Sequence, residues 1–380
     1  MKLSDKIYIA GHTGMVGSAI TRRLLAEGYS NLVFTPYPIY DLTDQKTVVD
    51  FFSTEKPDYV FLAAAKVGGI LSNNTFRAQF IYENLMIQNN IIHSSYVNKV
   101  KKLLFLGSSC IYPKNCLQPI KEEYLLTGEL EYTNEPYAIA KIAGIKMCES
   151  YNFQYNTNFI SVMPTNLYGK NDNYNLETSH VLPAIIRKVK IGKWIEQNDW
   201  LSIRRDLAKY PIDFIVQNST ISEILAALEK YGIHVIPLTK ERIINNQTRE
   251  KRFDVTINLW GTGSPYREFL HVDDVAAACI FLMRKVNFED LYSQSSIKNA
   301  EIRNTQLNIG TGEDITIEEL AKLIKSLIGF KGNITWDKSK PDGTFRKLLD
   351  VSKINSLGWK FSIGIKEGIK MILDEYSDKS

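Results

Sequence analysis

Short apolar runs alternate with longer segments of helical periodicity over the first third of the chain. The runs that predict strands are residues 7–10, 31–35, 59–63 and 103–107. The segments that predict helices are residues 14–28, 43–53 and 78–98. Strands that alternate with helices favour a parallel sheet with helices on both faces. The pattern therefore predicts an α/β fold with a Rossmann-type, doubly wound parallel sheet.

Beyond residue 165 the pattern loosens into turns and short helices, and residues 306–309 predict one more strand. We predict a first domain at 1–165, to which later segments return, and a smaller C-terminal α/β domain at 166–380. The stretch at 193–252 differs from the sequence around it. It contains Trp194, Trp200 and a predicted helix at 221–231 that is started by Ser219 or Thr220. An apolar run follows at 234–238. We expect the mixed-charge run at 240–252 to be a solvated loop.

The composition excludes several classes of protein. The chain has 380 residues, 44% of them hydrophobic and 23% charged, which excludes a disordered or collagenous protein. The net charge of +4 is too small to indicate nucleic-acid binding and suits an anionic small molecule. The longest apolar stretch, residues 59–65, is too short to span a membrane.

The four cysteines form no CxxC pair and no regular short spacing. They therefore predict neither a metal site nor a disulfide framework, and reduced thiols are typical of the cytoplasm. The first residues lack the apolar run of a secretory signal, so we expect a cytoplasmic protein without a membrane partner.

A glycine-rich turn lies between the first predicted strand and helix, with Gly11, Gly14 and Gly17 in a GxxGxxG pattern. Glycines let the backbone approach a pyrophosphate, whose charge the helix N-terminus stabilises. The alternative interpretation is an ordinary tight turn. The segment after the second strand, residues 35–41, has no arginine, and its acidic residue Asp41 comes only at its end, so these residues do not decide between NAD and NADP.

Tyr137 and Lys141 stand four residues apart, at the start of a predicted helix. This spacing places both on one helix face, where the ammonium is expected to lower the phenol pKa from about 10 toward neutrality. A surface Tyr and Lys pair is the alternative. Ser108 follows the fourth strand, where α/β sheets bind ligands. On a dinucleotide-binding fold, these three residues predict hydride transfer at a carbonyl or alcohol carbon.

The sequence resembles the extended short-chain dehydrogenase/reductases that act on nucleotide sugars, and within them the GDP-L-fucose synthase family. The stretches that carry the resemblance are the glycine turn and residues 63–70, 108–113, 134–145, 162–169, 179–183, 260–265, 267–274 and 340–343. They cover the chain except for 193–252, which is an insert relative to the family.

The resemblance implies NADP(H)-dependent reduction of the C4 ketone of a GDP-linked 4-keto-6-deoxy-hexose or 4-keto-heptose, in surface-polysaccharide synthesis. It implies that Tyr137 donates the proton, Ser108 holds the keto oxygen and Lys141 tunes Tyr137 and binds the nicotinamide ribose. Positions matching Cys110 and His180 exchange protons at C3 and C5 in the family. Taken alone, Cys110 would be a buried small apolar residue and His180 an ordinary polar one.

The resemblance also assigns binding residues and a homodimer. The cofactor positions are Gly11, Thr13, Gly14, Met15, Val16, Gly17, Tyr37, Asp41, Leu42, Ala63, Ala65, Leu106, Gly107, Lys141, Pro164, Asn166, Leu167 and His180. The GDP-sugar positions in the C-terminal substrate domain and near it are Asn166, Lys188, Trp260, Arg267 and Asp342. His12 and His271 are interpreted as a turn residue and a helix start.

Two departures from the family bear on the cofactor and the substrate. Thr13 and Tyr37 replace the two arginines that hold the NADP phosphate, so NADP(H) is favoured by the family while NAD(H) stays open. Lys188 replaces an arginine, which puts a bidentate contact in doubt. The insert either borders the substrate pocket or is a surface or oligomer element.

Three alternatives remain open from the sequence. A pure C4 reductase would keep Cys110 and His180 without using them to epimerise. A nucleotide-sugar 4-epimerase would share the fold, whereas a dehydratase would need an Asp-Glu pair where residues 109–111 are Ser-Cys-Ile. A non-catalytic nucleotide sensor would not need Tyr137.

Overall fold

The computed structural model describes residues 1–213, 215–216, 218–237, 253–292 and 301–378. The strands are β1 (Ile7–Ala10), β2 (Leu32–Val33), β3 (Tyr59–Leu62), β4 (Lys102–Leu106), β5 (Phe159–Pro164), β6 (Asn166–Tyr168), β7 (Ile233–Pro237), β8 (Phe253–Trp260), β9 (Tyr266–His271), β10 (Leu307–Ile309), β11 (Asp314–Thr316), β12 (Asn333–Asp337) and β13 (Arg346–Lys347). The helices are α1 (Met15–Ala26), α2 (Gln45–Glu55), α3 (Ile70–Thr75), α4 (Arg77–Val97), α5 (Glu135–Tyr155), α6 (Val181–Glu196), α7 (Trp200–Lys209), α8 (Ile221–Lys230), α9 (Val272–Lys285), α10 (Ile317–Ile328), α11 (Ser352–Ser356) and α12 (Ile365–Asp378).

The chain divides into two compact units. The first comprises Met1–Asn171, Arg267–Asp314 and Arg346–Ile365. The second comprises Asp172–Tyr266, Ile315–Phe345 and Lys366–Ser380. No helix among the described residues is long and apolar enough to cross a membrane.

A six-stranded sheet forms the centre of the first unit, in the order β10-β5-β4-β3-β1-β2. Each pair of neighbours is parallel. The predicted Rossmann-type sheet is confirmed, and the strand predicted at 306–309 is its edge strand β10. Because the chain runs from β1 out to β2 and returns to β3 on the other side of β1, the direction of winding reverses there, which is where such sheets bind ligands.

Helices cover both faces of this sheet. One apolar layer includes side chains of α1 and α9, among them Ile20, Leu24 and Val275. The other includes side chains of α2, α4 and α5, such as Phe52 and Ile91. Strands buried on both sides explain the continuous apolar runs of β3 and β4.

Strand β2 is shorter than predicted, because it stops at Val33 instead of residue 35. Pro36 and Pro38 follow closely, and prolines cannot donate to a strand ladder. Helix α9 begins where the sequence indicates, since the Nδ1 atom of its N-cap His271 accepts a 3.3 Å hydrogen bond from the Asp273 N–H group.

The second unit holds a three-stranded sheet in the order β12-β8-β7. Helix α8 is the helix predicted at 221–231, and Thr220 caps it in a reciprocal pair with Glu223. Strand β7 covers most of the apolar run predicted at 234–238. Residue 238 and the mixed-charge run at 240–252 lie outside the described residues.

Candidate active site

The glycine-rich turn leaves no room for a side chain at Gly11 or Gly17. Gly11 has a φ of +83°, and a Cβ there would lie 2.8 Å from Cα of Ala64. A Cβ at Gly17 would lie 2.1 Å from the backbone oxygen of Gly11. Helix α1 starts at Met15, and no side chain caps it at Gly14. The N–H groups of its first turn, which includes Val16, therefore suit the pyrophosphate of a dinucleotide, so the turn fits the predicted cofactor.

The ends of four neighbouring strands carry the next predicted cofactor residues. Gly11, Ala63 and Gly107 follow β1, β3 and β4, and Leu106 and Pro164 are the last residues of β4 and β5. Parallel pairing sets these ends side by side along one edge of the sheet. A Cβ at Gly107 would lie 2.3 Å from Cε of Met163. Ala65 lies two residues beyond Ala63 in the same loop, while Asn166 and Leu167 open β6.

Neither of the two positions where the family has arginine carries a guanidinium: Thr13 lies in the glycine turn after β1, and Tyr37 lies after β2. Thr13 is exposed, and Tyr37 is 80% exposed. The carboxylate of Asp41 accepts hydrogen bonds from the backbone N–H (2.9 Å) and hydroxyl (2.7 Å) of Thr43. The backbone oxygen of Leu42 accepts from the side chain of Asn90. Asp41 is thus already engaged in its own turn.

Ser108 and Cys110 lie in the tight turn that follows β4. Ser108 caps a short 3-10 turn at Ser109–Ile111, and its hydroxyl accepts a 3.4 Å hydrogen bond from the Cys110 N–H. Cys110 is only 7% exposed. Burial raises the pKa of its thiol, and the ammonium of Lys347, the Ser108 hydroxyl and the ammonium of Lys141 oppose this.

Tyr137 and Lys141 lie one helical turn apart on α5. Nζ of Lys141 donates a 2.8 Å hydrogen bond to the backbone oxygen of Leu106 at the end of β4. It lies 5.7 Å from the centroid of the Tyr137 ring and 4.8 Å from that of the Phe105 ring. Lys141 therefore connects α5 to the strand end that leads into Ser108 and Cys110.

The prediction that Lys141 lowers the pKa of Tyr137 is wrong. Burial, the largest effect, raises the pKa of Tyr137, and Cys110 raises it further. The geometry explains this, because Nζ of Lys141 donates to the Leu106 oxygen and does not reach the phenol oxygen. Burial also lowers the pKa of Lys141 to about 8. At neutral pH, Tyr137 is a protonated phenol beside a largely protonated amine.

The remaining predicted substrate residues are divided between the units. In the second unit, His180 is the exposed N-cap of α6, and burial lowers the pKa of Lys188 on the same helix to about 8. Trp260 there is 65% exposed. The Asp342 carboxylate accepts from the N–H (2.6 Å) and hydroxyl (2.8 Å) of Thr262.

Two predicted substrate positions lie in the first unit. Arg267 is on β9, and Nδ2 of Asn166 donates a 2.9 Å hydrogen bond to the backbone oxygen of Glu268 on that strand. The two strands β6 and β9 run parallel there, with Asn166 opposite Phe269.

Comparison with known proteins identifies the family. The profile of the NAD dependent epimerase/dehydratase family matches residues 7–210 and 224–294. The chain belongs to this family. Within it, the GDP-L-fucose synthase of Escherichia coli K12 is 45% identical over 96% of this chain and 94% of its own length. The resemblance to the GDP-L-fucose synthase family is therefore confirmed.

Solved members of this epimerase/dehydratase family share the whole fold. A GDP-6-OMe-4-keto-L-xylo-heptose reductase from Campylobacter jejuni is 43% identical, with a TM-score of 0.87, over 100% of this chain and 99% of its own. A GDP-mannoheptose C4 reductase from the same organism, solved with NADP bound, is 42% identical, with a TM-score of 0.82, over 99% of both chains.

Two residues of this family member were not among the predicted site residues. Lys347 acts electrostatically on Cys110, although it lies far away in the sequence on β13. Glu268 is 0% exposed and accepts hydrogen bonds from the N–H groups of Thr311, Gly312 and Leu349. The sequence could have indicated Glu268, because a carboxylate stands next to the apolar residues of β9. The residues around Lys347 give no such indication. Among the described residues, no group of three acidic, His or Cys side chains could hold a metal ion.

Proposed function

We propose that this chain reduces the C4 ketone of a GDP-linked 4-keto sugar with NADPH, and that Tyr137 delivers the proton to the C4 oxygen. The observation that carries the proposal is the meeting of four residues at one strand end. Ser108 and Cys110 follow β4, and Lys141 on the Tyr137 helix donates to its last backbone oxygen. Solved relatives contain NADPH or NADP, which supports that cofactor.

The protonation state of each residue determines its role in the proposed reaction. When bound, the dinucleotide supplies the hydride that reduces C4. Tyr137, whose pKa burial raises, holds a proton that it can give to the developing alkoxide. Ser108 can donate a hydrogen bond to the same oxygen, because an oxygen that gains charge is stabilised by nearby donors. Lys141 supplies positive charge beside the phenolate that Tyr137 would become.

The test is turnover of GDP-4-keto-hexose and GDP-4-keto-heptose substrates, measured by the loss of NADPH absorbance. Tyr137→Phe removes the proton donor, so kcat/KM should fall by at least ~100-fold. Tyr132→Phe is the matched control, because Tyr132 is 67% exposed just before α5 and should retain activity. Equal activity of Tyr137→Phe and the unaltered chain would overturn the proposal. Replacing NADPH with NADH in the same assay measures the cofactor preference.

We also propose that Cys110 and His180 exchange protons at C3 and C5 of the sugar. Hydrogens beside a C4 ketone become acidic when its oxygen is stabilised, so a thiol and an imidazole can remove and return them. Incubation with the keto sugar in D2O without cofactor should introduce deuterium at C3 or C5, and Cys110→Ser should abolish one site of exchange. Absence of deuterium from the unaltered protein would leave a pure C4 reductase.

A homodimer formed through α4 and α5 is a further part of the proposal. Large side chains that a monomer would leave in water lie along these helices, namely Tyr82, Val97, Phe153 and Tyr155, exposed by 61%, 58%, 48% and 41%. Exposed apolar groups on neighbouring helices are typical of protein interfaces. Light scattering of the protein and of Tyr155→Asp tests this: the protein should have the mass of a dimer, and the variant that of a monomer.

A further inference from the structure

The segment that follows Lys347 is hydrogen-bonded to the loop that follows the Cys110 turn. The Leu348 N–H donates to Oε1 of Gln118 at 2.8 Å, and the Ile120 N–H donates to the Leu348 oxygen at 2.7 Å. The Asp350 N–H then donates to the Ile120 oxygen at 2.8 Å. This ladder fixes the backbone on the C-terminal side of Lys347 against the loop.

Buried side chains connect the same segment to the turn itself. Nδ2 of Asn308 donates to the backbone oxygens of Ile120 (2.9 Å) and Asp350 (3.1 Å), while its Oδ1 accepts a 2.6 Å hydrogen bond from the hydroxyl of Tyr112. Tyr112 is two residues beyond Cys110 and 4% exposed. One network of hydrogen bonds therefore joins the segment directly after Lys347 to the loop and turn that carry Cys110.

Charged and titratable groups around Lys347 make it an electrostatic partner of the thiol. Burial lowers the pKa of Lys347, and Cys110 is the next largest influence and opposes this. Arg267 lowers the pKa of Lys347 further, and Cys116 and Glu131 raise it. Within the described part of the chain, the ammonium of Lys347 has no salt bridge to a carboxylate, and Glu131 acts on it only as a more distant charge. Its charge is thus not neutralised by a carboxylate in contact with it.

Lys141, the other ammonium that acts on Cys110, has a different task. It donates to the Leu106 oxygen and belongs to the Tyr137 pair. We propose that Lys347 is a positioning residue for Cys110, and that its protonated amine favours the thiolate that takes a proton from the sugar carbon beside the ketone. The inference rests on the proposed C3/C5 proton exchange and assigns it a new residue.

The chemical step balances without another reactant. The sulfur of the thiolate forms an S–H bond as the C–H bond breaks, and the electron pair of that bond becomes the C=C bond of the enolate. The C4 oxygen takes the negative charge near Ser108 and Tyr137. Returning the proton to carbon reverses each change and restores the thiolate. Lys347 contributes by offsetting the cost of a buried thiolate, since a positive charge nearby favours the anionic form.

The experiment measures the pH dependence of alkylation at Cys110 by mass spectrometry of its peptide, which reports the thiol directly. In Lys347→Met the midpoint should rise by about one pH unit, which slows alkylation about tenfold at pH values below it. Lys347→Arg should restore the midpoint. Lys121→Met is the matched control, because Lys121 follows the same loop but is 50% exposed and should leave the midpoint unchanged. If Lys347→Met misfolds, Lys347→Gln replaces it in the same measurement.

Deuterium exchange in D2O without cofactor is the second measurement and separates this inference from the proposed exchange. A raised midpoint together with slower exchange in Lys347→Met, both reversed in Lys347→Arg, supports the positioning role. An unchanged midpoint overturns it, even if turnover falls, because Lys347 would then act on the substrate. A raised midpoint in a protein that shows no exchange refutes the proposed exchange, and with it the catalytic use of the thiolate.

Discussion

Replacing Lys141 with methionine should stabilise the protein at neutral pH while it removes activity. Lys141 is 3% exposed, and burial lowers its pKa from 10.5 to about 8. The folded chain therefore binds this proton more weakly than the unfolded chain, which costs about 3 kcal/mol of stability at about pH 7. Methionine removes that cost, but it leaves the Leu106 oxygen without its partner, at about 1–2 kcal/mol. The expected net gain is about 1–2 kcal/mol.

The sign of this effect must reverse with pH. The cost is fully present below the folded pKa of about 8 and disappears as pH rises through 10.5, where the unfolded chain also loses the proton. Above that pH only the lost hydrogen bond remains, so Lys141→Met should be less stable than the unaltered chain by about 1–2 kcal/mol. Urea unfolding at several pH values measures the difference in free energy of unfolding.

Lys102 is the matched control within the chain. It is also 3% exposed, and burial lowers its pKa to about 8 as well. Its ammonium donates to the backbone oxygens of Leu282, Met283 and Val286 near the end of α9. The difference in free energy of unfolding between Lys102→Met and the unaltered chain should change with pH in the same way. At every pH Lys102→Met should be less stable than Lys141→Met, because three backbone oxygens lose their donor. Lys102→Met should keep its activity.

Two outcomes would refute this reasoning. A stability difference between Lys141→Met and the unaltered chain that is flat from about pH 7 to about pH 10.5 would mean that burial does not shift this amine. Retained NADPH turnover in Lys141→Met would remove Lys141 from the chemistry, since loss of a group that supports acid catalysis should cost at least ~100-fold.

The remaining predictions concern the turn and the buried charges. Gly17→Ala should abolish NADPH binding in a fluorescence titration, because its Cβ would lie 2.1 Å from a backbone oxygen. Glu268→Gln should lower the free energy of unfolding by about 2–4 kcal/mol in urea, because an amide nitrogen would face a backbone N–H. Asp206→Asn should cost about 3–5 kcal/mol in the same assay, because it breaks the 2.8 Å pair with Arg187, whose side chain is 0% exposed.

Five of the six strands of the central sheet could be predicted, because local sequence determines buried parallel strands, whereas β5 was not predicted. Strands β3 and β4 are continuous apolar runs, and the long segment of α4 contains neither glycine nor proline, so their type and order follow from the local sequence. The end of β2 could not be placed, because Phe34 continues the apolar run beyond the last paired residue and the first proline comes only at position 36.

The candidate site likewise contains residues that local sequence predicts and residues that it does not. The glycine turn and the Tyr137–Lys141 spacing are local signals, and the structure brings both to strand ends at the same edge of the central sheet, after β1 and β4. Lys347 could not be found, because its relation to Cys110 comes from hydrogen bonds between segments distant in the chain. The direction of the Tyr137 pKa shift was missed because spacing fixes the helix face but not which atom the lysine reaches.

The raised pKa of Tyr137 suits a ketone reductase better than the lowered pKa predicted from the sequence. A phenol with a lowered pKa would serve best as a base that removes a proton from an alcohol, whereas ketone reduction needs an acid. In the proposed reduction, burial raises the pKa of Tyr137 and so keeps its proton in place until the C4 oxygen becomes basic enough to take it. Lys141, still largely protonated at neutral pH, then stabilises the phenolate that is left. The same burial that weakens the lysine as a cation thus prepares the tyrosine as the acid of a reductase.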